Sequence, residues 1–275
     1  MTPVDTDSLL ERMRAEWDER ARENARFFIA YAGEAWTDEE FFESGRANVR
    51  EEILTDMGNV CQGKDPKQMK VVEIGCGEGR ITRALAEVFG EVYAVDVSGE
   101  MIARAKGALA DVPNAHVYQN NGTDLRVLGD VQADFAFSYI VFQHIPSRDV
   151  ISSYVREVHR LLRPGGLFKF QVQGSVGDLE EGDLPEAGVT PAAAEPDSTE
   201  TTAQTGQSLS TGDTASPNLT TREQIVRTDE LATDTWRGAR FTDAAAARMA
   251  EECGFEARYR IGAGTQYFWL WFFKN

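Results

Sequence analysis

The sequence predicts an α/β fold built on a mostly parallel sheet with helices on both faces. Three observations carry this. Short apolar runs alternate with amphipathic helical stretches from about residue 70 to residue 173, glycine-bearing turns join them, and two aromatic-rich strands follow a last helix. Strands and helices alternating at this length form crossover units, which lay the strands parallel and cover both faces.

Residues 6 to 60 read as helical and form an N-terminal cover spanning 1–60. Leu10, Met13, Trp17 and Ala21 recur at helical spacing, and Thr37 with Glu40 makes a capping box. Val49, Ile53, Leu54 and Met57 predict a further helix after Gly45. The main domain, 61–275, opens with the strand "KVVEIG" and a helix over "RITRALAEVFG" that ends at Gly90. "VYAVDVS" is the next strand, and Ser98 caps a helix through about Leu109. "AHVYQN" and "ADFAFSYI" are two more strands. Ser147 caps "SRDVISSYVREVHRLL", whose Ile151, Val155, Val158 and Leu162 share one face. "RPGG" then turns the chain into "LFKFQVQ". Residues 175–220 have the composition of a flexible acidic insertion: Gly, Ser, Thr, Pro, Ala and acid, almost without aromatics. Thr242 caps a final helix that Gly254 ends, and "FEARYRI" and "TQYFWLWFF" close the chain, the last strand antiparallel.

Composition narrows the function. No run of about 18 apolar residues exists, so no membrane partner is expected. The start lacks a basic n-region and apolar h-region, and Cys61, Cys76 and Cys253 are odd in number and widely spaced. A cytoplasmic, reducing location is the simplest expectation. The formal net charge is -17, which disfavours a nucleic-acid partner by repelling phosphates. About half of that excess lies between Gly174 and Thr221, where nine acids stand with no Lys or Arg. Nothing in the composition indicates an oligomeric state. No three of the histidines and cysteines show metal-ligand spacing, so no metal is expected.

The stretch "VVEIGCGEGR" sets Gly75, Gly77 and Gly79 directly after a strand. A bare strand-to-helix turn lets backbone N–H groups and a helix N-terminus approach a ligand. The dinucleotide fingerprint is G-x-G-x-x-G. Here the spacing is G-x-G-x-G, and Arg80 stands where the fingerprint wants its last glycine. Glu73, two residues before Gly75, is a poor neighbour for a pyrophosphate and a good one for a cation. Asp96 ends the next strand, 21 residues beyond Gly75, where a carboxylate accepts from both hydroxyls of a ribose.

"VVEIGCGEGRITRAL", "VYAVDVSGEMIARA", "ADFAFSYIVFQHIP" and "EVHRLLRPGGLFKF", in this order and spacing over roughly 68–173, together resemble the class I S-adenosylmethionine-dependent methyltransferases. The resemblance implies a Rossmann-like, doubly wound sheet and S-adenosyl-L-methionine as cofactor. It implies that Gly75, Cys76, Gly77 and Gly79 form the loop beneath the methionine and ribose portions, and that Glu73 attracts the ammonium. Asp96 would hold the ribose, with Val97 and Met101 flanking the adenine. Asn121 falls where this family usually has an adenine-reading Asp, and Gly122 beside it. Ser138, Tyr139 and Gln143 would border the methionine part.

Methyl transfer from a sulfonium is an in-line displacement for which the family's scaffold mainly positions the nucleophile and excludes water, without a metal. An oxygen or nitrogen acceptor also needs a base, and His144 in "FQHIP" is the candidate. The alternative is that His144 packs under its loop. The acceptor pocket belongs at the carboxyl ends of the strands. Its candidate walls are Trp17, Phe27, Phe28, Tyr31 and Trp36 from the cover, Gln171 and Gln173 from the fifth strand, and Trp236 and Tyr267. This aromatic cover without a basic stripe favours a small, partly apolar acceptor with an O, N, S or C nucleophile. One rival is a non-catalytic S-adenosylmethionine-binding or interaction module, and another is an NAD-dependent oxidoreductase. A filled acceptor pocket would favour the first; the glycine spacing and Glu73 disfavour the second.

Overall fold

In a computed structural model the sheet has the order β3-β2-β1-β4-β5-β8-β7. The structure describes residues 6–30, 36–175 and 238–275. Tyr31, Trp236 and all of the 175–220 insertion except Ser175 therefore lie outside the described residues. Strands β1 (Lys70–Ile74), β2 (Glu91–Asp96), β3 (Ala115–Gln119), β4 (Ala133–Ser138) and β5 (Leu162–Gly174) pair in parallel. The short β6 (Arg240–Phe241) lies parallel to the end of β5. β8 (Phe268–Lys274) inserts antiparallel between β5 and β7 (Phe255–Ile261). This is the Rossmann-like, doubly wound α/β sheet that the sequence predicts. The strand order reverses between β1 and β4, the switch point at which open α/β sheets bind ligands.

The helices are α1 (Thr6–Ala30), α2 (Asp38–Glu52), α3 (Met57–Cys61), α4 (Arg80–Val88), α5 (Gly99–Ala108), α6 (Arg148–Leu161) and α7 (Asp243–Glu252). Their starts follow the expected caps. Ser98, Ser147 and Thr242 each accept a backbone N–H three residues on, and Thr37 with Glu40 closes a reciprocal capping box. The core is divided by the sheet. Phe168, Phe170, Phe272 and the apolar stripe of α6 fill one side, while Phe89, Phe135, Phe137 and α4 fill the other.

Two expectations need correction. No new helix begins after Gly45, because α2 runs straight through it. Gly45 is there for contact: a Cβ on it would lie 2.2 Å from the backbone oxygen of Arg80, so α2 touches the start of α4 with no side chain between. "RPGG" does not precede β5 but bulges within it: Ala133 pairs with Leu162 and Phe135 already with Leu167.

Gly45→Ala is expected to cost about 2–3 kcal/mol through this backbone clash, read as a lower urea midpoint with an unchanged slope. Gly107→Ala serves as the control. A Cβ there meets nothing within 4 Å, so that variant should be neutral or gain up to about 1 kcal/mol.

Candidate active site

A cleft of about 880 Å³, its open mouth included, lies over the ends of β1, β2 and β4. That is within the range of small-molecule sites. Its floor is the turn between β1 and α4. Gly75 and Cys76 both donate to the Val95 carbonyl, at 2.8 and 3.0 Å, which ties the turn to β2. Gly75 has φ +77, and a Cβ on it would stand 2.2 Å from the Val141 side chain. Only glycine fits both the left-handed backbone and that approach. Gly79 does different work: it is the left-handed residue before α4 and packs on Leu109, outside the cleft lining.

Asp96 ends β2 with its carboxylate accepting from Gly77 N and Ser98 N, both at 2.9 Å. Burial raises its pKa, and these backbone N–H groups oppose the shift. Glu73 is 3% exposed, and its one hydrogen bond among the described residues is from Thr82 Oγ at 2.6 Å. Burial lifts its carboxyl to about 7. The two carboxylates thus enter the cleft in different electrical states, one pinned by backbone donors and one nearly bare.

The roof is α1, which is interrupted at Asn24 (φ -163, ψ 83). Asn24 Oδ1 caps the short second segment by accepting from Phe27 N at 3.2 Å. Met13, Trp17, Phe28 and Ile29 face down into the cleft. Polar contacts fix this cover in place. Asp18 accepts from Ser98 Oγ at 2.6 Å and from Glu100 N at 3.2 Å, and Arg26 reaches Glu78 of the glycine turn at 3.0 Å.

Of the residues the sequence singled out, Glu73, Gly75, Cys76, Gly77, Asp96, Val97, Met101, Tyr139, His144, Trp17 and Phe28 line the cleft. Several others do not. The Asn121 side-chain oxygen accepts from Thr123 N and Asp124 N, both at 2.9 Å, and the residue is exposed. Asn120 enters the cleft instead, 6% exposed, with Nδ2 on Tyr154 OH at 2.6 Å and Oδ1 unpartnered. Gly122 is buried beneath Leu10 and Met13. Ser138 is fully buried and donates to the Ile74 carbonyl at 3.0 Å, holding β4 to β1. Gln143 turns toward His144, at 3.3 Å. Gln171 is buried and accepts from Ile140 N at 3.3 Å. Phe27 packs edge-on against Phe28, and Trp36 against Phe41. Gln173 sits in the β5–β6 ladder, and Tyr267 is 46% exposed.

Residues beyond sequence reasoning also shape the cleft. Arg80 lines it, although its position signalled only a departure from the dinucleotide pattern. Ile140 has φ +56, rare for a β-branched residue, and Tyr139, Ile140 and Val141 line the cleft in succession. No described helix is long and apolar enough to cross a membrane. The three cysteines are buried and free. Among the described residues no cluster of potential metal ligands occurs.

Residues 72–170 match the family model described as a methyltransferase domain. Over 101 residues the chain is 33% identical to malonyl-[acyl-carrier protein] O-methyltransferase of Enterobacter lignolyticus, covering 37% of this chain and 38% of that one. Over 118 residues it is 29% identical to a probable S-adenosylmethionine-dependent methyltransferase of Mycolicibacterium smegmatis, covering 43% and 41%. The chain thus aligns with about two fifths of the length of these curated relatives. The fold is shared with the solved DhpI-SAM-HEP complex (TM-score 0.56, 16% identity, 97% of this chain and 98% of that one). It is shared as well with magnesium protoporphyrin IX methyltransferase from Synechocystis PCC 6803 with bound SAH (TM-score 0.56, 14% identity, 96% and 99%). With the glycine turn, Asp96 and Glu73 gathered at the switch point of this sheet, residues 72–170 carry an S-adenosylmethionine-dependent methyltransferase domain.

Proposed function

We propose that the protein transfers a methyl group from S-adenosylmethionine to a small, partly apolar acceptor. The observation that carries this reading is the pairing of Asp96 and Glu73 around one bare glycine turn. A nucleoside hydroxyl pair suits a carboxylate already held by two backbone donors. A cationic amino group suits a buried carboxylate with a single hydroxyl partner.

The residues fit the cofactor along its length. Gly75 and Gly77 leave the turn without side chains, and Asn120 Oδ1 is a buried acceptor without a donor, a match for an exocyclic amine. Met13, Val97, Met101 and Ile145 offer apolar faces for a flat base. When bound, S-adenosylmethionine supplies a methyl group already activated on a sulfonium sulfur. The protein's share is orientation and exclusion of water. Tyr139, Val141 and Phe28 bound the acceptor side; burial raises the Tyr139 phenol to about 12, so it stays neutral and positions rather than ionises.

His144 lines the same cleft with its ring edge-on to Trp17 at 5.6 Å. In this reading it takes the proton of an oxygen or nitrogen acceptor. An oxygen acceptor is the one named for the Enterobacter relative. The open volume beside Tyr139 supports an enzyme over a non-catalytic binding module. The charge of -17 supports a small acceptor over a nucleic acid.

Calorimetric titration with S-adenosylmethionine, S-adenosylhomocysteine and NADH tests the cofactor. Binding of the first two alone is expected, and no binding of either overturns the reading. Methyl transfer to a panel of small phenols, carboxylic acids and amines then tests the acceptor class. His144→Gln should keep S-adenosylhomocysteine affinity within about threefold while slowing transfer by about a hundredfold or more. Transfer only to RNA, DNA or protein would overturn the small-acceptor assignment.

A further inference from the structure

His144 closes a 3-10 turn, Phe142–His144, whose own hydrogen bonds do not orient it. His144 N donates to the Val141 carbonyl at 2.9 Å and Ile145 N to the Phe142 carbonyl at 3.2 Å, so the turn only folds on itself. Hydrogen-bond geometry is poor in so short a turn, and its surroundings decide where it points. One anchor is the core: Phe142 is fully buried and meets Phe168 and Phe170 edge-on. That contact holds the turn from beneath. His144, at the turn's other end, faces the cleft.

The second anchor is a strap from far along the chain, residues 238–241. Gly238 N donates to the Gln143 carbonyl at 2.6 Å and Ala239 N to the Ile145 carbonyl at 2.8 Å. Consecutive donors thus clasp the two carbonyls on either side of His144. The strap is itself fixed from outside. Arg240 and Phe241 pair as β6 with the end of β5, and Arg148 of α6 donates through Nε and Nη2 to the Arg240 carbonyl at 2.9 and 2.6 Å. Phe241 is buried, with the Arg148 guanidinium over its ring. None of residues 238–241 lines the cleft, so the strap can act on a ligand only through the turn.

We infer that Gly238 is a positioning residue for His144: lacking a side chain, it lets the strap grip the turn closely enough to set the imidazole in the cleft. A Cβ on Gly238 would stand 2.3 Å from the Gln143 oxygen and 2.9 Å from His144 N. Backbone cannot swing away as a side chain does, so a larger residue there pushes turn and strap apart. The Gln143 amide nitrogen also sits 3.3 Å from His144 Nε2. A shift at Gln143 therefore reaches the imidazole by two routes, main chain and side chain.

The inference rests on the reading of His144 as the base, and the two fail differently. Proton NMR follows the imidazole signals through a pH titration of the wild type and Gly238→Ala, with His144→Gln to assign the His144 signal. The chain's other two histidines are internal controls, His116 on β3 and His159 near the far end of α6. Expected is a displaced His144 signal and midpoint, with His116 and His159 in place. Displacement of all three, or of none, makes Gly238 ordinary packing and overturns the inference. In methyl transfer, kcat should fall about 10- to 100-fold, the cost of misplacing a group by about 1 Å, with the acceptor KM within about threefold. A raised KM with kcat intact overturns it too. If Gly238→Ala does not fold, Arg148→Met decides, since it frees the strap from α6 and leaves the turn's own sequence intact. An unmoved His144 signal in that variant overturns the inference. Should His144→Gln transfer methyl as fast as the wild type, the base reading falls, while the NMR titration still judges what the strap positions.

Discussion

Asp96→Ala is expected to weaken S-adenosylhomocysteine binding by about a hundredfold or more. Each hydrogen bond to a charged acceptor contributes about 1.5–3 kcal/mol, and two ribose hydroxyls are in question. The same substitution strips an acceptor from Gly77 N and Ser98 N. Buried donors left unmade cost about 1–3 kcal/mol each, so the protein itself should lose about 2–4 kcal/mol. Asp96→Asn separates the two effects, because its remaining oxygen still serves one backbone donor while the charge is gone. Calorimetry and urea unfolding, run on both variants, read binding and stability independently. A binding loss under about threefold in folded Asp96→Ala would remove Asp96 from the ribose.

Glu73→Gln gives the second large effect, and its sign depends on pH. Burial raises the Glu73 carboxyl from 4.5 to about 7, opposed in part by the Thr82 hydroxyl and by Arg80. A folded-state pKa above the unfolded value means that the native protein holds this proton more tightly. The associated stabilisation is complete below about pH 4.5 and is lost as pH rises through about 7. Its full size is about 3 kcal/mol. Glutamine has no proton to lose, so the variant should gain about that much on the wild type between about pH 4.5 and pH 8. Urea titrations at the two ends measure it, and a difference that does not move with pH would refute the shift. Ligand binding runs the other way, since a cation beside Glu73 favours the ionised carboxylate. Wild-type affinity for S-adenosylmethionine should climb by up to about tenfold per pH unit below 7, and the climb should be absent in Glu73→Gln.

Much of the fold was legible because its signals are local. Caps at Thr37, Ser98, Ser147 and Thr242 depend on a side chain and a backbone N–H three residues away. The glycine turn and Asp96 were readable for a related reason, as strand ends at a fixed separation. What sequence missed lies beyond the ends of regular elements. Alternation tells which face a residue takes only while the strand lasts. After Gln119 the Asx turn at Asn121 resets the parity, so Asn120 rather than its neighbour enters the cleft. After Ser138 alternation ends as well: with the left-handed backbone at Ile140, three successive residues, Tyr139, Ile140 and Val141, all line the cleft. Helical spacing identified the buried stripe of α1 without saying what it covers. That information resides in tertiary contacts such as Asp18 with Ser98 and Arg26 with Glu78. Gln173 ends the fifth strand, where the pocket is expected, but its neighbour there is Arg240 of β6, and Tyr267 is 46% exposed.

The edge-on contact between Trp17 and His144 gives the protein a built-in optical probe. An indole beside an imidazole changes emission when that ring gains a proton, and it changes again when a purine stacks nearby. Subtracting the spectrum of Trp17→Phe isolates this one fluorophore from the other tryptophans. Its emission then follows the filling of the cleft in real time, with no label attached.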